Sequence, residues 1–302
     1  MTNGSYRSVL TSSFVILLVG IIVNFSGLLK ELFVAKNFGT SSQLDIFTMG
    51  LAIPLFLVGL SGSAMSSVLI PAYIKSKRDE ETHLFFSDVI SLILFLSLLL
   101  VALSILSTFF LMPYLAAGFN PIKLEKSIIV GIVLAPIILV QNLTIFFDGV
   151  LNSGKSSYYN NIIAIFVPLG TIILLVLSGS GSELVLCAGL YLGFITKLVF
   201  QISKFLMIKE TKFSLSLKSV IFLRNIELIR EFGWITFSSV ILGVLPILAQ
   251  SYAASMQSGD VSSLNYANRL IGVGLLVLSN VINVVFLPFI SKEILKDREV
   301  GI

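Results

Sequence analysis

The sequence predicts an all-α polytopic membrane protein with about eight transmembrane helices, and three observations point to this class. Of its 302 residues, 56% are hydrophobic and only 12% are charged, with a mean hydropathy of +1.01. A soluble domain carries roughly 25% charged residues. The apolar residues form runs that reach the roughly 20 residues a helix needs to span a bilayer. The single cysteine, Cys187, lies inside such a run and excludes a disulfide framework.

Eight apolar segments are the predicted membrane helices. In order they are 10–36, 43–73, 84–113, 125–149, 157–178, 184–207, 233–256 and 263–290. The first is predicted to stay in the protein, because no small-residue cleavage site of a secretory signal follows it. Several segments contain proline, which membrane helices tolerate where neighbouring helices satisfy the freed backbone groups.

The helices are predicted to fall into unequal parts. Residues 1–210 form an N-terminal six-helix lobe, and residues 233–302 hold the first two helices of an incomplete second lobe. Between them, residues 211–232 alternate apolar with Lys, Arg and Glu side chains, which is typical of an amphipathic helix lying on the cytoplasmic membrane surface.

The basic residues set the expected orientation. With the N-terminus inside, fourteen of the twenty Lys and Arg residues fall in inner loops and three in outer loops. Such a bias predicts a cytoplasmic N-terminus for a multi-pass membrane protein, and eight spans return the C-terminus to the same side. The net charge of +4 then reflects topology, and nucleic acid is not an expected partner.

The segment "GVLNSGKS", residues 149–156, fits the phosphate-loop pattern G-x-x-x-x-G-K-[ST]. A phosphate loop lies between a buried strand and a helix, where its backbone N–H groups surround the phosphates. Here the motif lies between two apolar helical segments, with no room for a soluble α/β domain. It is therefore predicted to be a cytoplasmic turn with Lys155 as a loop charge, and ATP binding, a cofactor and enzymatic activity are not expected.

Polar and charged residues inside the spans are the candidate functional residues. They are Asn24, Lys30 and Glu31 in the first helix, Asp45 in the second, and Asn268 and Arg269 in the eighth. A charge at mid-membrane costs about 2.5–3.5 kcal/mol on the insertion scale, so such residues usually face a cavity or a partner.

Each charged candidate also has a structural alternative. Lys30 and Glu31 could extend to the outer interface, Asp45 could cap the second helix, and Arg269 could lie at the outer end of its helix. Arg269 carries the strongest functional signal, since its guanidinium offers paired donors that suit phosphate.

Three stretches of the sequence resemble the MurJ/MviN lipid II flippases. "LNYANRLIGVGLLVLSNVINVVFLPFISKE" is similar to the family's helix-8 signature: the family's Tyr-Ala-Asp-Arg-Leu core stands here as Tyr-Ala-Asn-Arg-Leu at 266–270, and its Leu-Pro-x-x-Ser end lies at 287–291. "KELFVAKNFGTSSQLDIFTMGLAIP" resembles its helix 1–2 region. "GVLNSGKSSYYNNIIAIFVPLG" resembles its helix 4–5 turn.

The resemblance implies a flippase with two helical lobes around a central cationic cavity. It implies that an undecaprenyl-pyrophosphate-linked saccharide moves from the inner to the outer leaflet by alternating access. By position, Lys30 and Arg269 would neutralise the pyrophosphate, and Glu31 and Asp45 would hold those cations while the cavity is unoccupied. The expected partners are the lipid-linked precursor and membrane lipids.

The sequence also departs from the family pattern. The family usually has Arg where Asn24 stands and another near Val58, and it has Asp where Asn268 stands, so this cavity would carry fewer cations. An O-antigen or capsule lipid-linked oligosaccharide is therefore an alternative substrate. The family has about fourteen helices, so this chain is expected either to pair with a separate C-terminal half or to be a truncated, non-transporting membrane fragment or scaffold.

Overall fold

A computed structural model of the chain describes residues 3–78, 82–153, 156–179, 181–207 and 226–281, and every regular element within these ranges is helical. The helices are α1 Asn3–Phe38, α2 Ser42–Ala64, a π-helical turn Met65–Leu69, α3 Ile70–Arg78, α4 Thr82–Leu115, α5 Pro121–Leu134, α6 Ile137–Asn152, α7 Ser157–Ile163, α8 Phe166–Ser178, α9 Glu183–Met207, α10 Ile226–Ala254 and α11 Asp260–Val281.

The predicted all-α membrane class is confirmed. Across the described residues, five helical segments are long and apolar enough to cross a membrane, and the bent pair α5 and α6 would make a sixth. Helix α4 exposes large apolar side chains along its length, including Phe95, Leu99, Phe109 and Phe110. Such a surface suits contact with lipid tails.

The predicted span 125–149 is two helices, because α5 and α6 meet at a bend of 42°. Pro136 stands at the bend and has no N–H with which to bond the Ile132 carbonyl. That carbonyl instead accepts from Ala135 N at 3.2 Å, a tighter turn that ends α5.

The predicted span 157–178 is also broken, into α7 and α8. Pro168 cannot donate to the Ala164 carbonyl four residues earlier. The carbonyl accepts from Val167 N at 3.2 Å instead, so the helix is interrupted between Ile163 and Phe166.

Two helix starts differ from the predicted boundaries. Helix α5 begins at Pro121 rather than 125, since Asn120 caps it by accepting from Lys123 N at 2.8 Å. Helix α10 begins at Ile226, so the end of the predicted linker 211–232 belongs to it. Residues 211–225 of that linker lie outside the described part of the chain.

The phosphate-loop motif lies between two helices, α6 and α7. Residues 149–152 end α6, Ser156 precedes α7, and Gly154 and Lys155 lie outside the described residues. Because a helix rather than a strand precedes the motif, the structure contradicts a phosphate loop. The predicted role of Lys155 as a loop charge lies outside the described residues. Gly149 serves packing, since a Cβ there would lie 2.4 Å from Ile70 Cδ1 on α3.

Close helix contacts hold the bundle together. Helices α8 and α9 meet through glycines, and a Cβ added to Gly170 would lie 2.4 Å from Gly193 N. Small residues at membrane helix interfaces allow such close approach. Helix α2 lies at the centre, because it packs against α5 and α6 and also against α10 and α11. It therefore joins the N-terminal bundle to the last two helices.

Candidate functional site

A cavity of about 440 Å³ lies between α1, the α7–α8 break, α9 and α11. Its lining includes five of the six candidate residues, Asn24, Lys30, Glu31, Asn268 and Arg269. Helical spacing explains the α1 wall: residues 24, 27, 28 and 31 recur at the intervals that keep side chains on one face of a helix. Packing against α11 then brings the charged residues of the two helices to one place.

An ion cluster forms the polar part of this cavity. Lys30 Nζ lies 2.8 Å from Glu31 Oε1, and Arg269 Nε lies 3.4 Å from the same oxygen. Glu31 is only 16% exposed, whereas Arg269 is 52% exposed. Two cations against one carboxylate leave a net charge of +1, and the guanidinium keeps further N–H donors for an anion. The cluster can therefore attract a phosphate group.

Asp45 lies away from this cluster, in a site made by α2, α5 and α11. Its fully buried carboxylate accepts from Lys123 Nζ at 2.7 Å, Gly259 N at 2.7 Å, Ser262 N at 2.9 Å and Ser262 Oγ at 2.6 Å. We call these four residues the α11 cap, because Asp45 satisfies N–H groups that the start of α11 leaves free. The expectation that Asp45 holds Lys30 or Arg269 is wrong.

The alternative that Asp45 caps its own helix is also wrong. Ser41 is the N-cap of α2, and its hydroxyl accepts from Leu44 N at 3.4 Å. Asp45 follows one residue after Leu44 and is turned toward α11. The carboxylate therefore links the N-terminal bundle to the last two helices rather than stabilising α2 alone.

The positions of Lys123 and Gly259 in the α11 cap follow from two features of the local sequence that the prediction above did not use. Asn120 before Pro121 is a helix-start signal, and it moves Lys123 from an outer loop into the first turn of α5. Gly259 has φ +99°, and a Cβ there would lie 2.4 Å from the Thr40 carbonyl. This glycine lets the turn between α10 and α11 pack against the turn between α1 and α2.

A second buried polar network joins α6, α7 and α9. Asp148 Oδ2 lies 2.8 Å from Lys197 Nζ, and Asp148 Oδ1 accepts from Gln201 Nε2 and Asn160 Nδ2, each at 2.8 Å. Gln201 Nε2 also lies 3.0 Å from Asn160 Oδ1. Asp148 and Lys197 are charged residues inside apolar segments, and that signal could have marked each of them as a candidate for a buried ion pair.

Comparison with known proteins relates most of the chain to one family. A sequence model of the family described as lipid II flippase MurJ matches residues 34–300. A probable lipid II flippase MurJ from Rickettsia prowazekii is 26% identical over 93% of this chain and 56% of its own length. A probable lipid II flippase MurJ from Thermotoga maritima is 29% identical over 49% of this chain and 32% of its own length. The chain thus spans about half the length, or less, of the curated relatives it matches.

Solved structures share the arrangement of the helices. The lipid II flippase MurJ in an inward closed conformation superposes with a TM-score of 0.66 and 21% identity, covering 89% of this chain and 59% of that one. An outward-facing multidrug resistance MATE family transporter of the MOP superfamily gives a TM-score of 0.62 and 16% identity, covering 90% and 61%. The chain therefore has the fold of the corresponding part of these transporters.

Proposed function

Because this chain belongs to the lipid II flippase MurJ family, we propose that it carries the head-group cavity of a flippase. Its cargo is an undecaprenyl-pyrophosphate-linked saccharide, lipid II or a related precursor, which moves from the inner to the outer leaflet. One observation supports this most: Lys30 and Arg269 meet in one cavity around a single carboxylate, Glu31. A net positive, partly enclosed site in a membrane protein suits a phosphate-bearing lipid.

Each cavity residue then has a role. Lys30 and Arg269 neutralise the pyrophosphate, and Glu31 holds both cations in position before the lipid arrives. Asn24 and Asn268 line the same cavity and can offer both donors and acceptors to the head group. No bond of the cargo is made or broken in this process, so the proposed role is that of a transporter rather than an enzyme.

The α11 cap is the proposed outer closure. Asp45 and Lys123 belong to the N-terminal bundle of residues 1–210, and Gly259 and Ser262 belong to the partial second lobe of residues 233–302. Release to the outer leaflet requires these two parts to separate at that end. Asp45 must then exchange its α11 partners for water, while the Lys123 contact lies within one lobe and can persist.

The head-group role is tested by binding of undecaprenyl pyrophosphate to the purified chain in detergent, measured by native mass spectrometry. Arg269→Ala should weaken binding about tenfold or more, since a hydrogen bond to a charged group is worth about 1.5–3 kcal/mol. Lys126→Ala is the matched control. Lys126 is also half exposed, at 50%, and pairs with Glu183 at 3.4 Å, the distance that separates Arg269 from Glu31.

Equal binding by wild type, Arg269→Ala and Lys126→Ala would contradict a phosphate site in the cavity. Such a result would favour the alternative of a non-transporting membrane scaffold.

The proposed orientation in the bacterial plasma membrane has both termini inside. In a Cys187→Ser background, Gln257→Cys should react with an impermeant thiol reagent added outside, and Ser153→Cys should not. Both positions are exposed, whereas Gly259 in the same outer turn is buried and unsuitable. The reverse labelling pattern would overturn the orientation inferred from the basic residues.

A further inference from the structure

A second, smaller pocket adjoins the ion cluster. It has a volume of about 80 Å³, and Lys30, Glu31 and Arg269 form one side of it. Its other lining includes Thr48, Thr171 and Gln250, which come from α2, α8 and α10. The pocket therefore begins where the proposed phosphate site ends and extends between the N-terminal bundle and α10.

Three oxygens, one on each of three residues that line this pocket, are buried and have no hydrogen-bond partner within the part of the chain that the structure describes. They are Thr48 Oγ1, Thr171 Oγ1 and Gln250 Oε1. Thr48 and Thr171 are only 5% and 3% exposed. A helical threonine can satisfy itself on its own helix, as Thr144 does by donating to the Val140 carbonyl at 2.8 Å. The hydroxyl groups of Thr48 and Thr171 make no such hydrogen bond to a carbonyl of their own helices.

The environment makes such groups costly unless something polar meets them. In a membrane interior, no bulk water is available to satisfy a buried hydroxyl or amide. Three different helices each contribute such a group on a residue that lines this one small pocket, which indicates a binding surface rather than a single packing defect.

The charge of the pocket narrows the class of occupant. Lys30, Glu31 and Arg269 together carry +1, so a metal cation would be repelled. Threonine hydroxyls and a glutamine amide can both donate and accept hydrogen bonds. A neutral group bearing hydroxyls or an amide, placed beside a phosphate, satisfies both the oxygens and the charge.

We propose that Thr48, Thr171 and Gln250 form a subsite for the first sugar attached to the pyrophosphate, and that they bind its hydroxyl or acetamido groups. The subsite rests on the proposed function, since it requires the phosphates to lie on Lys30 and Arg269. Its volume admits the substituents of one sugar ring rather than an oligosaccharide. Because Thr48 and Thr171 lie in residues 1–210 and Gln250 in residues 233–302, a bound sugar bridges the two parts of the chain.

The test compares two lipids on the purified full chain by native mass spectrometry. One is undecaprenyl pyrophosphate, and the other is undecaprenyl pyrophosphate carrying one N-acetylhexosamine. Replacing both hydroxyls, in Thr48→Val with Thr171→Val, should weaken binding of the sugar-bearing lipid about tenfold. Binding of the sugar-free lipid should stay unchanged, because the cations are untouched.

Thr108→Val is the matched control. Thr108 is fully buried, and its Oγ1 also has no partner among the described residues, but it lies on α4 beside Gly131. This variant should bind both lipids as wild type does. Gln250→Leu, on a different helix, provides a second measurement of the subsite if the valine pair does not fold.

The outcomes separate the subsite from the proposed function. If the pocket variants bind the sugar-bearing lipid as wild type does, or weaken both lipids equally, the subsite is wrong while the phosphate site stands. If wild type binds neither lipid, the proposed function fails and the subsite fails with it. Selective loss of the sugar-bearing lipid supports both.

Discussion

Two lysine–carboxylate pairs of nearly equal length have different surroundings. Lys123 lies 2.7 Å from Asp45 in the α11 cap, and Lys30 lies 2.8 Å from Glu31 in the cavity. Asp45 is fully buried, and it also accepts from Gly259 and Ser262. Glu31 is 16% exposed and is shared with a half-exposed arginine. Distance alone therefore does not show what an ion pair does.

Charge balance and hydrogen bonding distinguish the two pairs. In the α11 cap, one cation meets one anion, and three donors from α11 fill the remaining acceptor positions of the carboxylate. In the cavity, two cations share one anion and the cluster keeps unused donors. A balanced, fully bonded pair stabilises one arrangement of helices, whereas an unbalanced, accessible pair is available to a ligand.

The largest expected loss of stability comes from breaking the α11 cap. Asp45→Ala should lower the free energy of unfolding by about 3–5 kcal/mol, because it leaves the buried Lys123 ammonium without its anion. Urea or thermal unfolding of the purified chain in detergent measures this. Glu125→Ala is the control, since Glu125 lies on α5 one turn from Pro121 and is exposed. If the two variants unfold alike, the cap does not stabilise the fold.

A double variant sharpens the same comparison. If Asp45 and Lys123 act as a pair, Asp45→Asn with Lys123→Met should cost less than the sum of the single changes, because neither charge is left buried alone. Additive costs would show that the two residues act independently.

Much of the helical architecture could be predicted from the sequence, while its bends and pairings could not. Long apolar runs predicted the class of fold, and the family resemblance is confirmed by the match over residues 34–300. The breaks beside Pro136 and Pro168 were missed because apolar character continues through them. Hydropathy depends on side chains, whereas these breaks depend on a backbone N–H that proline lacks.

Prediction from the sequence has a similar limit at the candidate site. The structure places the candidate residues of α1 and α11 along one cavity, and helical spacing accounts for the α1 residues that share its wall. Their role in binding a substrate stays a prediction. Asp45 was grouped with them incorrectly, because its partner depends on where α5 begins and on how the turn at Gly259 packs. A sequence shows that a buried carboxylate needs a cation, but folding decides which cation reaches it.

An intermediate effect is expected at the network of Asp148, Asn160, Lys197 and Gln201. Asp148→Ala should lower the free energy of unfolding by about 2 kcal/mol, because hydrogen bonds to a charged group are worth about 1.5–3 kcal/mol. Lys197→Met should cost less than Asp148→Ala, since Asp148 is 30% exposed and water can reach the carboxylate that remains. Lys204→Met, two turns further along α9, is the control for Lys197. An unfolding midpoint for Lys197→Met equal to that of Lys204→Met would show that the network is not stabilising.

The smallest stability effect, and the most selective functional one, is expected in the cavity. Arg269→Lys and Lys30→Arg both keep the charge of the cluster, and partly exposed ion pairs contribute only about 0–1 kcal/mol, so neither should move the unfolding midpoint much.

The effects of Arg269→Lys and Lys30→Arg on binding undecaprenyl pyrophosphate should differ. Lys30→Arg should be tolerated, because a guanidinium supplies at least the donors that the ammonium did. Arg269→Lys should bind more weakly than wild type but better than Arg269→Ala, since an ammonium keeps the charge and loses the planar pair of donors that matches phosphate oxygens. If Lys30→Ala and Arg269→Ala both bind the lipid normally, these cations are anchors at the membrane interface. The Lys30–Glu31 pair would then differ from the Asp45–Lys123 pair only in its exposure to solvent.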